Sequence, residues 1–126
     1  MSNFPDTMSD RFMNLVVGIM KLEKQLLITY SGRHIFGQLF RSCTSAGANF
    51  EEARAGESRA DFIHKMQITL KELRESHYWI KLLCNAKLIS SQDEAIKFLL
   101  TESLELASIT AKSVFTAKSN IGKIIL

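Results

Sequence analysis

The chain is 126 residues long, carries a formal net charge of +3, and is 46% hydrophobic. This apolar content excludes a disordered chain, and the length fits one domain over residues 1–126. The N-terminal segment lacks the basic region and apolar core of a signal peptide, and no apolar run is long enough to cross a bilayer. We therefore expect a cytoplasmic protein with no membrane contact.

A first helix is predicted over residues 6–30, where apolar residues recur at spacings of three and four and form one stripe. The stripe consists of Phe12, Leu15, Ile19, Leu22 and Leu26. Asp6 or Ser9 can cap its start. We expect Gly32 to mark its end, because glycine readily adopts the left-handed backbone of a helix stop.

The second predicted helix, residues 33–55, presents a conflict between propensity and periodicity. Its centre is rich in poor helix formers, namely Ser42, Thr44, Ser45, Gly47 and Asn49. Apolar residues nevertheless keep helical spacing from Phe36 to Phe50. Small residues allow a neighbouring helix to approach closely, and hydroxyls can donate to carbonyls of the preceding turn. Periodicity therefore favours a helix, which Gly56 ends.

The third predicted helix, residues 58–86, carries two stripes. The first alternates spacings of three and four without interruption: Ile63, Met66, Leu70, Leu73, His77, Ile80 and Cys84. The second lies on roughly the opposite face and mixes apolar with charged residues. Because a bundle helix needs only one buried face, the second stripe predicts an oligomer interface. The interface candidates are Ile68, Glu75, Trp79 and Leu82.

A fourth helix is predicted over residues 91–118, capped by Ser90 or Ser91, with Asp93 and Glu94 in its first turn. The apolar tail, residues 120–126, is expected to pack on the subunit or on a neighbour. Four long helices with short connections predict an all-α fold, an antiparallel up-down-up-down four-helix bundle.

Patterns for catalysis and metal binding are poor. A di-metal carboxylate bundle needs Glu-x-x-His pairs on two helices, and only Asp61 and His64 have a comparable spacing. No serine or cysteine has a recognisable base and orienting group, and the chain has no glycine-rich phosphate loop. We expect a non-enzymatic protein with no metal and no cofactor.

Three charged residues lack a local partner. Arg41, Glu52 and Glu72 have no opposite charge three or four residues away on their own predicted helices. If these side chains are buried, they must find partners on another helix or another subunit. Separate solvation of each charge is the alternative.

The excess positive charge lies in residues 31–87, whereas the two flanking regions each balance. Such an excess can attract an anionic partner, although a solvated mixed-charge face is the simpler interpretation from charge alone. No RNA-recognition signature or aromatic stacking pattern accompanies it, so nucleic-acid binding should depend on phosphates and only weakly on sequence. The candidate contacts are Arg33, Arg54, Arg59, Lys65, Lys71, Arg74 and Lys81.

Residues 41–79 also hold a specific combination of polar, small and aromatic residues. It comprises Arg41-Ser42-x-Thr44-Ser45-x-x-Ala48-Asn49-x-Glu51-Glu52-Ala53, then Ser58-x-x-Asp61-Phe62, Lys65, Lys71-Glu72 and Tyr78-Trp79. On these residues the chain resembles the bacterial four-helix-bundle family encoded by intervening sequences in 23S ribosomal RNA genes. The resemblance covers most of the chain and fades beyond Asn85.

This resemblance implies a four-helix fold and a ring-shaped homopentamer in the bacterial cytoplasm, and it supplies no activity. A similar fold occurs in the accessory variability protein of diversity-generating retroelements, which is linked to reverse transcriptase and RNA. RNA or a nucleic-acid enzyme is therefore a candidate partner. The polar residues shared with the family are expected to form a structural network that sets assembly geometry. This network comprises Arg41, Ser42, Thr44, Ser45, Asn49, Glu52 and Glu72.

Three hypotheses for function remain open at this point. The first is a non-enzymatic homo-oligomer that binds RNA or a nucleic-acid enzyme. The second is an interaction scaffold or accessory subunit with a protein partner and no affinity for nucleic acid. A bundle that holds iron or a small ligand is the third and the least supported.

Overall fold

The structure is a computed structural model that describes residues 7–125, with side chains described as far as Asn120. Within this range the chain forms five helices, of which four are long, and they build an all-α helical bundle as predicted. The helices are α1 (Met8–Met20), α2 (Glu23–Leu26), α3 (Tyr30–Arg54), α4 (Arg59–Asn85) and α5 (Glu94–Ile125). No helix in this part of the chain is both long and apolar enough to cross a membrane.

Three helices begin at a hydroxyl residue that caps the first turn. The side-chain oxygens of Thr7, Thr29 and Ser58 each accept a hydrogen bond from the backbone N–H three residues later, at 3.0 to 3.1 Å. Such caps satisfy backbone donors that have no partner inside the helix. The caps therefore fix where α1, α3 and α4 begin.

The prediction of one helix over residues 6–30 is wrong. The segment divides into α1 and the single turn of α2, and α3 already begins at Tyr30. Gly32 does not stop a helix, because it lies in the first turn of α3 without a positive φ. A Cβ at Gly32 would lie 2.1 Å from the carbonyl oxygen of Leu26. Glycine is needed here for close approach of the backbone, not for a left-handed conformation.

The last two helices meet at a connection with a left-handed residue. Lys87 has a φ of 60°, and the N–H of Leu88 bonds back to the carbonyl of Leu83 at 3.0 Å, so α4 ends here. The fourth predicted helix starts later than expected, at Glu94. The Asp93 carboxylate accepts the N–H of Ala95 at 2.8 Å, because Asp93 precedes the helix and caps it. The side-chain packing predicted for residues 121–126 lies outside the described residues.

Contacts between the long helices run in the antiparallel sense. Along α1 and α3, Ser9 contacts Arg54 and the Phe12 ring stacks on Phe50 with centroids 4.6 Å apart. The cross-helix ion pairs of α3 with α4 show the same order, as do the contacts of α1 with α5. Each long helix contributes fully buried leucines to one core: Leu15, Leu39, Leu73 and Leu106. The charged residues therefore lie at the edges of the contacts between helices and on the outer faces of the bundle.

Candidate nucleic-acid and assembly surfaces

Arg41 on α3 forms ion pairs with two glutamates of α4. One of its terminal nitrogens lies 2.8 Å from the Oε2 atom of Glu72, and the other contacts the carboxylate of Glu75. Glu75 also accepts a hydrogen bond from the Trp79 indole N–H at 3.1 Å. We call Arg41, Glu72 and Glu75 the α3–α4 clamp.

The contacts within the α3–α4 clamp shift the pKa values of Arg41 and Glu75. Hydrogen bonding to Glu75, and then to Glu72, raises the pKa of the Arg41 guanidinium, although partial desolvation opposes this. Partial burial acts to raise the pKa of Glu75, but hydrogen bonds from Trp79 and Arg41 outweigh it and lower that pKa below 4.5. Both charges are therefore stabilised by the pairing at neutral pH.

The hydroxyl residues of the predicted network mostly bond within their own helix. Thr44 donates to the carbonyl of Phe40 at 2.7 Å, and the Asn49 amide donates to the carbonyl of Ser45 at 2.9 Å. Ser42 also reaches across helices, since its Oγ lies 2.7 Å from that of Ser76 on α4 and both residues are fully buried. The poor helix formers of α3 thus keep their polar groups satisfied in a helical backbone.

Glu52 does not pair with Arg41. Its carboxylate lies 2.8 Å from the ammonium of Lys65 on α4, and that contact raises the pKa of Lys65. Arg54 likewise lies 3.6 Å from Glu51 and contacts Ser9. Two of the seven candidate nucleic-acid contacts, Lys65 and Arg54, are therefore paired with carboxylates of the same chain.

Three other candidate cations share one outward face of α4. Lys71, Arg74 and Lys81 are spaced by three and seven residues, are all exposed, and make no ion pair within residues 7–120. A helix rises 1.5 Å per residue, so these cations extend over about 15 Å. We call Lys71, Arg74 and Lys81 the α4 basic face.

Arg59 and Arg33 occupy other places. Arg59 is the exposed first residue of α4. Arg33 lies in the first turn of α3, donates to the carbonyl of Leu27 at 3.2 Å, and sits 5.8 Å from the centroid of the Tyr30 ring. The structure therefore does not bring all seven candidate cations onto one surface.

Of the four interface candidates, Glu75 contacts Arg41 of α3. Ile68, Glu75, Trp79 and Leu82 are each half-buried, and Trp79 and Leu82 pack against the core of their own chain. The sequence predicts an oligomer interface on this stripe, and part of the stripe also packs against the core of its own chain.

Sequence reasoning missed a second clamp between α1 and α5. Arg11 donates from Nε to Glu102 Oε2 at 3.0 Å and from a terminal nitrogen to Glu102 Oε1 at 2.6 Å, and it lies 2.9 Å from Glu105. Hydrogen bonding to Glu102 raises the pKa of Arg11. We call Arg11, Glu102 and Glu105 the α1–α5 clamp. Arg11 and Glu102 also lack local partners, so the test applied to Arg41 would have found them.

Sequence reasoning also missed several large apolar residues that remain exposed. They are Met13, Val17 and Met20 on α1, Tyr78 on α4, and Phe98, Leu104 and Phe115 on α5, besides residues at the start of α3 and in the connection before it. Their faces are separate from the buried stripes that the periodicity identified. On α1 they recur at spacings of four and three, so a search for a second stripe, as on the third predicted helix, would have found them.

Two clefts border these exposed residues. A cleft of about 540 Å³ lies between α1 and α5, with Val17 and Phe98 on its rim. A shallower cleft between α4 and α5 is lined by His77, Lys81 and Leu104. Burial and the nearby Lys81 charge lower the pKa of His77, so this side chain is mainly neutral at physiological pH.

Groups suited to metal binding are not gathered in the part of the chain that the structure describes. No cluster of three or more histidine, cysteine or acidic side chains occurs there. Burial raises the pKa of the Cys43 thiol to about 12, which makes it a poor nucleophile at neutral pH. Cys84 is free as well, and burial raises its pKa.

Two comparisons place this architecture among known proteins. Residues 7–112 match the family model described as 23S rRNA-intervening sequence protein. A solved structure of a Bacteroides thetaiotaomicron protein with unknown function, from the S23 ribosomal protein family, superposes with a TM-score of 0.76 at 33% identity. The similarity covers 86% of this chain and 98% of that one. No curated protein matches the sequence. The chain belongs to the 23S rRNA-intervening sequence protein family.

Proposed function

We propose that the protein is a non-catalytic cytoplasmic homo-oligomer that binds RNA through the α4 basic face. The observation that carries this proposal is the separation of charge around α4. Glu72 and Glu75 turn towards Arg41 on α3, whereas Lys71, Arg74 and Lys81 face solvent. A helix of mixed composition thereby presents a positive outer surface, which attracts a polyanion.

The chemistry of this face favours contact with phosphates. Lysine and arginine heads that form no ion pair with a carboxylate among residues 7–120 can neutralise phosphates and release counterions. Because α4 offers no pattern for reading base edges, binding should depend weakly on sequence. Unrelated RNAs of equal length are therefore expected to bind within about tenfold of one another.

Oligomerisation is the second element of the proposal, with a pentamer implied by the family resemblance. Its support is the outer surface of α3 at Gly37 and Ala48. Ala48 is exposed, and a Cβ at Gly37 would meet no atom within 4 Å, so a helix of a second protomer can approach closely. A ring would repeat the α4 basic face in every protomer and raise avidity without new contacts.

The RNA test uses fluorescence anisotropy with a labelled ribosomal RNA fragment and a scrambled control of equal length. The variant Lys71→Glu/Lys81→Glu should weaken binding to both RNAs, because it reverses two of the three charges. Lys112→Glu is the matched control for one charge reversal, since Lys112 is exposed on α5 and lies off the basic face. Absence of binding by the assembled wild-type protein at low salt would overturn the RNA proposal.

Light scattering tests the assembly. The wild type should exceed the 14.2 kDa of one chain, and Trp79→Glu should shift it towards smaller species, because a carboxylate would be placed at the half-buried indole site. A wild-type monomer at high micromolar concentration would contradict oligomerisation. Light scattering on the Lys71→Glu/Lys81→Glu variant must show intact assembly for its RNA result to count.

A protein scaffold without RNA affinity is the second candidate function. It is favoured by the exposed apolar side chains of α5, Leu104 and Phe115, which suit a protein contact better than a phosphate contact. If the assembled protein does not bind RNA at low salt, and Leu104→Ser/Phe115→Ser abolishes capture of a protein partner, the scaffold function replaces RNA binding as the proposal.

A further inference from the structure

We infer that the α4 basic face takes single-stranded RNA and that Tyr78 is the platform on which an unpaired base stacks. This inference rests on the proposed function. It adds the class of nucleic acid and one residue that contacts a base. It begins from the position of Tyr78, which is 57% exposed although its helix packs against both α3 and α5.

Tyr78 lies within the α4 basic face. The positions of Lys71, Arg74, Tyr78 and Lys81 follow spacings of three, four and three, which place all four on one side of a helix. Arg74 and Lys81 are therefore its neighbours on the preceding and following turns. A base stacked on Tyr78 would have cations on both sides to hold its flanking phosphates.

The Tyr78 ring has an aromatic neighbour in Trp79. It meets the Trp79 ring edge-on, with centroids 5.1 Å apart and an interplanar angle of 69°. Trp79 is anchored in turn by its hydrogen bond to Glu75, so the aromatic pair is fixed by the α3–α4 clamp. An edge-on neighbour supports the phenol ring and leaves ring surface free for a stacking partner.

A platform of this kind discriminates between strands and duplexes. In a duplex the bases are stacked on one another and their faces are inaccessible, whereas single strands offer a face at every base. Stacking on an aromatic side chain is tolerant of sequence because every base has such a face. The inference thus agrees with weak sequence dependence and adds a preference for unpaired RNA.

The experiment compares single-stranded and duplex RNA of equal length, and an abasic strand, on wild type, Tyr78→Phe and Tyr78→Leu. Tyr78→Leu should weaken binding to the single strand about tenfold and leave the abasic strand unchanged, since loss of one stacked base is worth about 1–3 kcal/mol. Tyr78→Phe should stay within about twofold of wild type because it keeps the ring. Phe115→Leu is the control, because it removes an exposed ring of α5 that lies off the basic face.

Fluorescence of 2-aminopurine placed in the strand reports base stacking directly. A change in oligomer assembly alone would not change this signal. Quenching on binding by wild type and Tyr78→Phe, and its loss with Tyr78→Leu at saturating protein, supports stacking. Equal affinities and equal quenching for wild type and Tyr78→Leu overturn the inference while the RNA proposal stands. Binding of no RNA by the wild type overturns both.

Discussion

The α1–α5 clamp and the α3–α4 clamp have the same composition but differ in exposure. In each, one arginine contacts two glutamates spaced by three residues, and the first glutamate is the buried one, with 9% of its side chain exposed. Arg11 is 22% exposed and grips Glu102 with two nitrogens. Arg41 is 48% exposed and divides its nitrogens between two carboxylates.

The difference shows how one ion-pair motif can serve two purposes. The fork-to-fork contact of Arg11 is completed inside the chain and ties α1 to α5, which no short connection joins. The half-exposed Arg41 lies beside Trp79 at the surface where we propose assembly. The first clamp therefore belongs to the fold of the protomer, and the second is positioned to couple the fold to an oligomer.

The largest expected effect comes from breaking the α1–α5 clamp. Arg11→Ala leaves the Glu102 carboxylate buried without its partner, which should lower the free energy of unfolding by about 3 kcal/mol. Glu105→Ala removes only the exposed partner and should cost less than about 1 kcal/mol. Denaturant unfolding by circular dichroism measures both. Equal unfolding midpoints for Arg11→Ala and wild type would show that the contact contributes nothing.

The α3–α4 clamp should be weaker in stability and stronger in its effect on assembly. Arg41→Ala should cost about 1.5 kcal/mol, because Arg41 is half-exposed while Glu72 is buried. It should also reduce the oligomer mass in light scattering, whereas Arg11→Ala should not at temperatures where it is folded. If both variants assemble like wild type, the proposed division of roles between the clamps is wrong.

A third substitution tests how a buried hydroxyl outside the two clamps affects stability. The Thr110 hydroxyl on α5 is fully buried and has no hydrogen-bond partner among the described residues, whereas Thr69 on α4 donates to the carbonyl of Lys65 at 3.0 Å. Thr110→Val should raise the free energy of unfolding by about 1 kcal/mol, since it removes an unpaired polar group at nearly constant shape. Thr69→Val, the matched control, should leave stability level or lower it. A destabilised Thr110→Val protein would indicate a partner for the hydroxyl.

The smallest expected effect is on the pH dependence of stability, and it tests Glu75 of the α3–α4 clamp. Because pairing lowers the pKa of Glu75 below 4.5, the folded state favours its charged form, and this stabilisation is complete only above pH 4.5. It is lost as pH falls through the folded-state pKa. Glu75→Gln should therefore flatten the decline in stability below pH 4.5, by less than about 1 kcal/mol in total. An unchanged acid limb of the stability profile would contradict the pairing.

Much of this architecture was predictable from local sequence signals. The bounds of α4 were close because Ser58 gives a strong cap and the apolar seam runs unbroken to Cys84. The break after Met20 was missed because neither Lys21 nor Leu22 is a helix breaker, and Gly18 still lies within α1. Gly32 misled because its role depends on the carbonyl of Leu26, a contact that no local pattern reveals.

The sequence predicted candidate sites where a charged residue has no opposite charge nearby on its own helix. It did not predict which side chains of α4 stay exposed, because that depends on how neighbouring helices pack across it. Glu72 lacks a local partner and is buried, so the sequence predicted a partner on another helix or subunit, and the structure joins it to the half-exposed Arg41. Exposure of Tyr78 and partial cover of Trp79 depend on where α3 crosses α4. Neighbouring positions on one helix thus differ through tertiary packing, which propensity and periodicity do not contain.

The salt dependence of RNA binding tests the central claim, that sequestering the acids of α4 leaves a surface for phosphates. Each phosphate neutralised on a single strand adds about 0.7 to the slope of log affinity against log salt. We predict a negative slope of about 2 for each protomer that contacts the strand through its three cations, reduced to below about 1 for each such protomer in the assembled Lys71→Glu/Lys81→Glu variant. Identical slopes for wild type and this variant would contradict the account.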